Sequence, residues 1–585
     1  MLYEDIPIKT EDEDILHRKK FIYAIEGLIR YNKQVGDAGF VIGLEGAWGS
    51  GKTSVLNVLE KDFTEHYSDE FVVKRFDSWL TLDRASLTVE FFKNLRNAIS
   101  DFEALRKYSR MVVNFVKGMA ITISFHGVSL KMDFTKTLQD KTLQEEKIKI
   151  VEKLSDSDKT IICMIDDLDR LSNEQVLYVM QLVKNIADFP GIIYILAYDR
   201  KILTRALEKS DGKNGESFIE KVVQLQINMP EPNKRDIGKY FFRQLKNIIR
   251  GYLRQEESEL VLQEVNGNFV EDSVYKAIIP YLKDMRSCKR ILNAFQTRYS
   301  LAYDCCNDED LMYIVILTLY EPNLITYIIT NTDCLYLEND EFTSSGSNDS
   351  QDEYRKSFQK YVHCSEEALH LLELMFPVFA KKTGRAPNNK VSQSELIIKD
   401  KIAFRENFLS YFAVPNGKIP SYELKQLLLS EQEFKLRARL EDWAEDHQWI
   451  SVYKKIKAYC DTKSKHIILT VNRLSTLLHV VSSSKLKILS EEQGYSCVFL
   501  TELFWEKFIN SLLSSGETSI GNSDMKKILQ NIFDDPSISF EVLDVLMKRI
   551  SQDYKNNFNQ DSIIDQETCE MCNEFLTKRK NQVSI

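Results

Sequence analysis

Residues 46–54 read GAWGSGKTS, Gly46 to Ser54, and the six residues before them, Phe40 to Glu45, read FVIGLE. The nine fit the spacing G-x-x-x-x-G-K-[ST]. Glycines at Gly46, Gly49 and Gly51 let the backbone turn tightly enough for successive amides, through Ala47, Trp48 and Ser50, to point inward at phosphate oxygens. Lys52 is placed to reach the β- and γ-phosphates, and the Thr53 hydroxyl to ligate Mg²⁺, with Ser54 completing the first turn. Downstream, Val55, Leu56, Leu59 and Phe63 mark one helix face. A buried strand, a glycine loop and a helix N-terminus in that order form a phosphate site.

Further apolar runs extend the pattern: FVVKRF at Phe71–Phe76, TIICMI at Thr160–Ile165 and GIIYILA at Gly191–Ala197. Runs of this kind between amphipathic helices predict an α/β fold with a parallel sheet flanked by helices, a P-loop NTPase core. VVQLQINM, Val222–Met229, alternates loosely and is expected to be an edge strand.

The run IICMIDDLDR, Ile161 to Arg170, places Asp166 and Asp167 at the carboxyl end of a buried strand, the edge of an open α/β sheet where ligands bind. Asp166 is the expected Mg²⁺ partner and Asp167 the group that polarises the attacking water. Asp169 suits a helix cap. Arg170 is either a structural ion-pair partner or a stabiliser of transition-state charge. At the end of GIIYILA, Asp199 is either a γ-phosphate sensor or part of a strand-terminating turn. In DMRSCKRILNAF, Arg286 and Arg290 share a helix face, which is either a solvated basic face or the source of a lid arginine or finger, Arg286, reaching the γ-phosphate.

After about Pro232 helical periodicity takes over, as in KYFFRQLKNIIRGYLRQ. The expected organisation is a core over 1–230 with an inserted hairpin at about 119–135, a helical lid over 231–300 and a helical connector over 301–337. A disordered loop over 338–354, ENDEFTSSGSNDSQDEY with Glu338 as its start, and a helical domain over 355–585 complete the chain. The hairpin reading rests on alternation from Ile121 to Phe134 about His126-Gly127.

The balance of 77 Lys+Arg against 87 Asp+Glu leaves −10, which gives the chain no overall attraction for nucleic acid or anionic membrane. No apolar stretch is long enough to span a bilayer as a helix. The polar, acidic start and ten cysteines without framework spacing favour a reducing cytoplasmic setting. Cys569 and Cys572 are read as surface helix thiols, and Lys578-Arg579-Lys580 as a solvated tail.

Five places resemble the KAP family of P-loop ATPases. They are the tryptophan-containing loop GAWGSGKT, the DDLDR run, the strand ending AYDR, the entry segment DIPIKTEDEDILHRKKF and the lid-like RSCKRILN, where Met285 stands in place of the family's proline. The resemblance implies a soluble member, in which the short hairpin replaces the transmembrane hairpin of other members. It further implies the ATPase subunit of a multi-gene anti-phage system, the Qat type being one. On this reading the cofactors are ATP and Mg²⁺, ATP being preferred to GTP because no N-K-x-D reader follows the sheet. The helical C-terminal half is expected to face partner proteins, a homo-oligomer is a further option, and neither direct nucleic-acid binding nor membrane insertion is expected. The leading expectation is a hydrolysing switch or motor. The alternatives are a nucleotide-dependent scaffold with negligible turnover and an ATP-coupled nuclease, for which no D-x-K or H-N-H constellation is found.

Overall fold

The computed structural model describes residues 2–31, 39–76, 91, 97, 148, 159–186, 191–211, 214–252, 273–332, 335, 348–385, 392–413, 419–461, 467–514, 522–556 and 564–583. The hairpin expected at about 119–135 lies outside them. Two compact units emerge: Met1–Gln244 with Leu282–Arg290, and Leu245–Tyr281 with Ile291–Ile585. This division differs from a boundary at residue 230, because the starts of the helices Lys234–Tyr252 and Met285–Ala302 group with the sheet.

The first unit holds a five-stranded sheet in the order β2-β3-β4-β1-β5. Its strands are β1 (Phe40–Glu45), β2 (Phe71–Phe76), β3 (Thr160–Ile165), β4 (Ile192–Tyr198) and β5 (Leu225–Asn228). Every pairing is parallel, with Ile42 opposite Ile195 and Ile162 opposite Ile193. The near-continuous apolar runs arise because both faces are covered. On one face Ile42, Leu44, Ile162, Met164, Ile193 and Ile195 pack with helices α1 (Lys19–Tyr31) and α2 (Lys52–His66). On the other, Val41, Ile161, Cys163, Ile165, Tyr194 and Leu196 pack with α3 (Asn173–Gln181), α4 (Arg200–Asp211) and α5 (Gly215–Val222). The period-two alternation therefore survives inside the runs as a choice of face. β5, at the sheet edge, alternates half-buried and exposed, as its looser sequence pattern predicts.

β4 lies between β1 and β3, so the carboxyl ends of the glycine-loop strand and the DDLDR strand flank that of the AYDR strand. Beyond β5 the described residues are helical, beginning with α6 (Lys234–Tyr252) and including α7 (Met285–Ala302). No helix among the described residues is long and apolar enough to cross a membrane.

In the second unit one core gathers Trp449, Trp505, Phe504, Phe508, Leu543 and Leu546 among its buried residues. The stretch expected to be a loop over 338–354 is helical from Asn348 onward, in a helix running to Val362. Tyr354, Phe358 and Val362 recur every four residues on this polar segment, and the Phe358 ring meets Phe379 at 4.7 Å, so one narrow stripe anchors it. Cys572 is fully buried and Cys569 half-buried within the helix Gln566–Val583, so they are not a surface pair. Arg579 is likewise not part of a solvated tail, since it donates to the carbonyls of Ile538 (2.8 Å) and Asp535.

Candidate functional site

β1 delivers its last residue, Glu45, into a loop tied down on both sides. The Gly46 amide donates to the Tyr198 carbonyl (3.0 Å), and the Met229 amide donates to the Glu45 carbonyl (2.7 Å). Gly49 and Gly51 adopt φ of 80° and 89°, the left-handed region in which a side chain is strained. Gly51 is the N-cap of α2 and carries no capping side chain, leaving the first-turn amides as free donors. The Lys52 ammonium is 8% exposed and donates to the carbonyls of Gly46 (2.8 Å) and Ala47 (3.3 Å). Burial pushes its pKa below the usual lysine range, while the carboxylates of Asp169, Asp199, Asp166 and Asp167 act in the opposite direction.

The acids arrive from β3. Asp166 is 5% exposed, and its Oδ1 accepts the Asp167 amide at 2.9 Å. Asp167 sits at φ 56°, a left-handed conformation uncommon for a residue with a side chain. Its carboxylate is held above the ordinary aspartate range by burial and then by Asp166, with Arg170 the main opposing charge. Arg170 pairs with it, Nε to Oδ1 at 3.1 Å. Asp199 Oδ1 accepts the amides of Lys201 (2.9 Å) and Ile202 (3.3 Å), which places it at the start of α4 as a capping group.

Lys52, Asp167 and Arg170 border a cavity of about 360 Å³ within the first unit. Its lining combines loop and acidic residues, Gly51, Lys52, Thr53, Asp167, Asp169 and Arg170, with Arg286 and with apolar side chains such as Ile8, Ile15 and Met285. The structure thus brings Arg286 to the glycine loop, its guanidinium 5.8 Å from the Trp48 ring centroid. Asp166 and Asp199 are not among the lining residues; Asp166 lies directly behind Asp167 in sequence, and Asp199 is engaged with α4.

The largest feature that sequence reasoning missed is the wall formed by residues 5–18. Arg18 is 7% exposed and reaches across to the carbonyls of Ser50 and Pro230 (3.1 Å). Desolvation lowers its pKa and Asp14 opposes that shift. A Cβ built on Gly51 would lie 2.7 Å from Arg18 Nη1, so the glycine also makes room for this strut. The available signal was the arginine of the entry segment itself, a charge set just ahead of an amphipathic helix.

Residues 18–302 match the model of the KAP family P-loop domain. The chain carries a KAP family P-loop domain. Over 282 residues it is 24% identical to the phage T7 exclusion protein of Escherichia coli (strain K12). That match covers 42% of this chain and 35% of the relative, so the chain spans about a third of the relative's length. Among solved structures it is similar to the Aeropyrum pernix ORC2 protein, at 10% identity and a TM-score of 0.27, covering 65% of this chain and 89% of that one. It is also similar to the Walker-type ATPase PABY2304 of Pyrococcus abyssi, at 14% identity and a TM-score of 0.28, covering 66% and 93%.

Behind the loop of the KAP domain, the residues flanking Asp199 in AYDR turn away from the cavity. The Tyr198 hydroxyl donates to Glu45 Oε1 (2.8 Å), and Arg200 donates to both Glu45 oxygens (3.2 and 3.3 Å) and to Glu216. Burial and the Glu45 contact push the Tyr198 phenol far above its usual range, and pairing with Glu216 raises Arg200. Gly43 admits this arrangement, since a Cβ there would lie 2.6 Å from the Tyr198 hydroxyl. Arg200→Ala strands the buried Glu45 carboxylate with the tyrosine alone. It is expected to cost about 1–3 kcal/mol. Thermal unfolding of the domain should fall by about 2–4 °C per kcal/mol lost, measured by calorimetry.

Proposed function

We propose that the KAP domain binds and hydrolyses ATP and that its turnover switches a partner effector, in defence against phage. The observation that carries this reading is the placement of buried Lys52 and the Asp166–Asp167 pair around one glycine loop. The donor set suits Mg²⁺, since the Thr53 hydroxyl and the Asp166 carboxylate are both hard oxygen ligands. When bound, the ion supplies neutralisation of charge on the β- and γ-oxygens. Lys52 would leave the loop carbonyls for the phosphates. Asp167 would orient water and accept its proton, a role matched to a carboxylate whose pKa burial has raised. The apolar side chains in the lining, among them Ile8, Ile15 and Met285, suit a purine base, and the lack of an N-K-x-D sequence after the sheet supports ATP.

The helical second unit is the proposed partner-facing part. The defence role draws on the name of the E. coli relative and on the family resemblance.

The Arg170–Asp167 ion pair favours a second reading, a scaffold that binds nucleotide and barely turns it over, because the general base is engaged. Steady-state phosphate release from Mg-ATP and Mg-GTP separates the two. Saturable release, faster with ATP, is the expected result. Tight binding without release from either nucleotide would make the scaffold reading correct.

A further inference from the structure

Two backbone regions far apart in sequence meet at the rim of the cavity. Arg286, on the first turn of α7, donates through Nε to Asp5 Oδ2, and the guanidinium lies over the Trp48 ring. Three residues on, Lys289 Nζ donates to the Glu4 carbonyl at 2.9 Å. The same helix start brings Asp284 against the loop, since a Cβ on Gly49 would lie 2.6 Å from Asp284 Oδ2. Asp284 is fixed there by reciprocal bonds with Ser287, its Oδ1 accepting the Ser287 amide (2.7 Å) and its own amide donating to Ser287 Oγ (2.9 Å). The tip of α7 therefore presents a rigid acid and a movable base to the loop, and the base is held by a carboxylate from the chain's first residues.

We propose that Asp5 is the anion that occupies Arg286 until a nucleotide phosphate replaces it, making residues 2–18 a strap whose hold on α7 depends on the nucleotide. The inference rests on the nucleotide-binding reading above and adds a residue to it. Three observations support exchange rather than a fixed pair. Both partners are about half exposed, with side-chain accessibilities of 42% for Arg286 and 50% for Asp5, so the bond is one that water and salt already weaken. Arg286 and Lys52 line the same cavity, so an anion held by the loop competes with Asp5 for the same guanidinium. The strap is also coupled to the loop directly through the Arg18 bond to the Ser50 carbonyl, so a shift at either end reaches the other. Asp5 is a positioning residue here, acting through Arg286.

The exchange has a defined thermodynamic signature. Removing the competing anion should tighten nucleotide binding by the strength of the bond it breaks, up to about fivefold for a pair this exposed. The tightening should vanish when Arg286 is absent, and it should be larger for a triphosphate than a diphosphate if the γ-phosphate is the group that takes Arg286.

Titration of the full chain with a slowly hydrolysed ATP analogue and with ADP, for wild type, Asp5→Asn, Arg286→Ala and the double variant, tests this. Expected are tighter analogue binding by Asp5→Asn, a smaller change with ADP, and no effect of Asp5→Asn in the Arg286→Ala background. Nucleotide should also speed proteolytic cleavage within residues 2–18 of the wild type. Unchanged affinity in Asp5→Asn, or an equal gain with and without Arg286, overturns the exchange while leaving nucleotide binding intact. Failure of the wild type to bind the analogue overturns the functional reading and the inference with it.

Discussion

Asp167→Asn is expected to retain Mg-ATP and to lose turnover by roughly 10²–10⁴-fold, the range for removing a positioned general base. The substitution isolates charge from shape. Asparagine tolerates the left-handed backbone at φ 56° about as readily as aspartate, so the turn from β3 into the following Leu168–Arg170 helical turn is preserved. What is lost is the proton acceptor, and with it the charge partner of Arg170. Rapid-quench measurement of a single turnover, alongside analogue affinity, reads the two effects separately. Asp166→Asn should behave differently and weaken Mg²⁺-dependent binding. If Asp167→Asn turns over at the wild-type rate, Asp169, which lines the same cavity, becomes the base.

Lys52→Ala carries the second large effect. In the structure this ammonium is almost wholly removed from water and, among the described residues, donates to two loop carbonyls. Charge-assisted bonds to phosphate oxygens would replace them on nucleotide binding, and their loss is worth roughly 10- to 100-fold in affinity. A further loss of about 10²–10³-fold in turnover is expected because the same charge faces the developing transition state. Folding should survive. Lys52 belongs to neither apolar cluster packed on the sheet, and alanine is favoured at a helix start. Circular dichroism and thermal unfolding close to wild type, together with collapsed activity, are the predicted combination.

Much of this site was legible in sequence because its parts are local. GAWGSGKTS fixes its own loop, and IICMIDDLDR carries its acids at the end of its own strand, so spacing alone placed Lys52, Asp166 and Asp167. What was not legible comes from contacts between distant residues. The Arg18 bond to Ser50 and the Arg200 bond to Glu45 span 32 and 155 positions, and no periodicity signals them. Asp199 shows the same limit from the other side: a strand-end carboxylate fits a sensor or a cap, and its contacts with the amides of Lys201 and Ile202 are visible only in the fold. The segment Asn348–Tyr354 failed for a different reason. Its composition is that of a loop, yet the stripe of Tyr354, Phe358 and Val362 extends helical structure back through it.

The ion pair between Arg170 and Asp167 and the bond between Arg286 and Asp5 have a common form. In each, an arginine at the cavity is held by a carboxylate of the chain itself. Of the two, the exchange proposed for nucleotide binding is the one on α7, at Arg286.

The central claim is that one Mg²⁺-dependent nucleotide site is built on residues 46–54. Isothermal titration of the chain with a slowly hydrolysed ATP analogue, with and without Mg²⁺ and in wild type and Lys52→Ala, tests it most directly. The account predicts one site per chain that needs Mg²⁺ and weakens at least tenfold in Lys52→Ala. Binding of equal strength in both proteins, or no binding by the wild type, would contradict it.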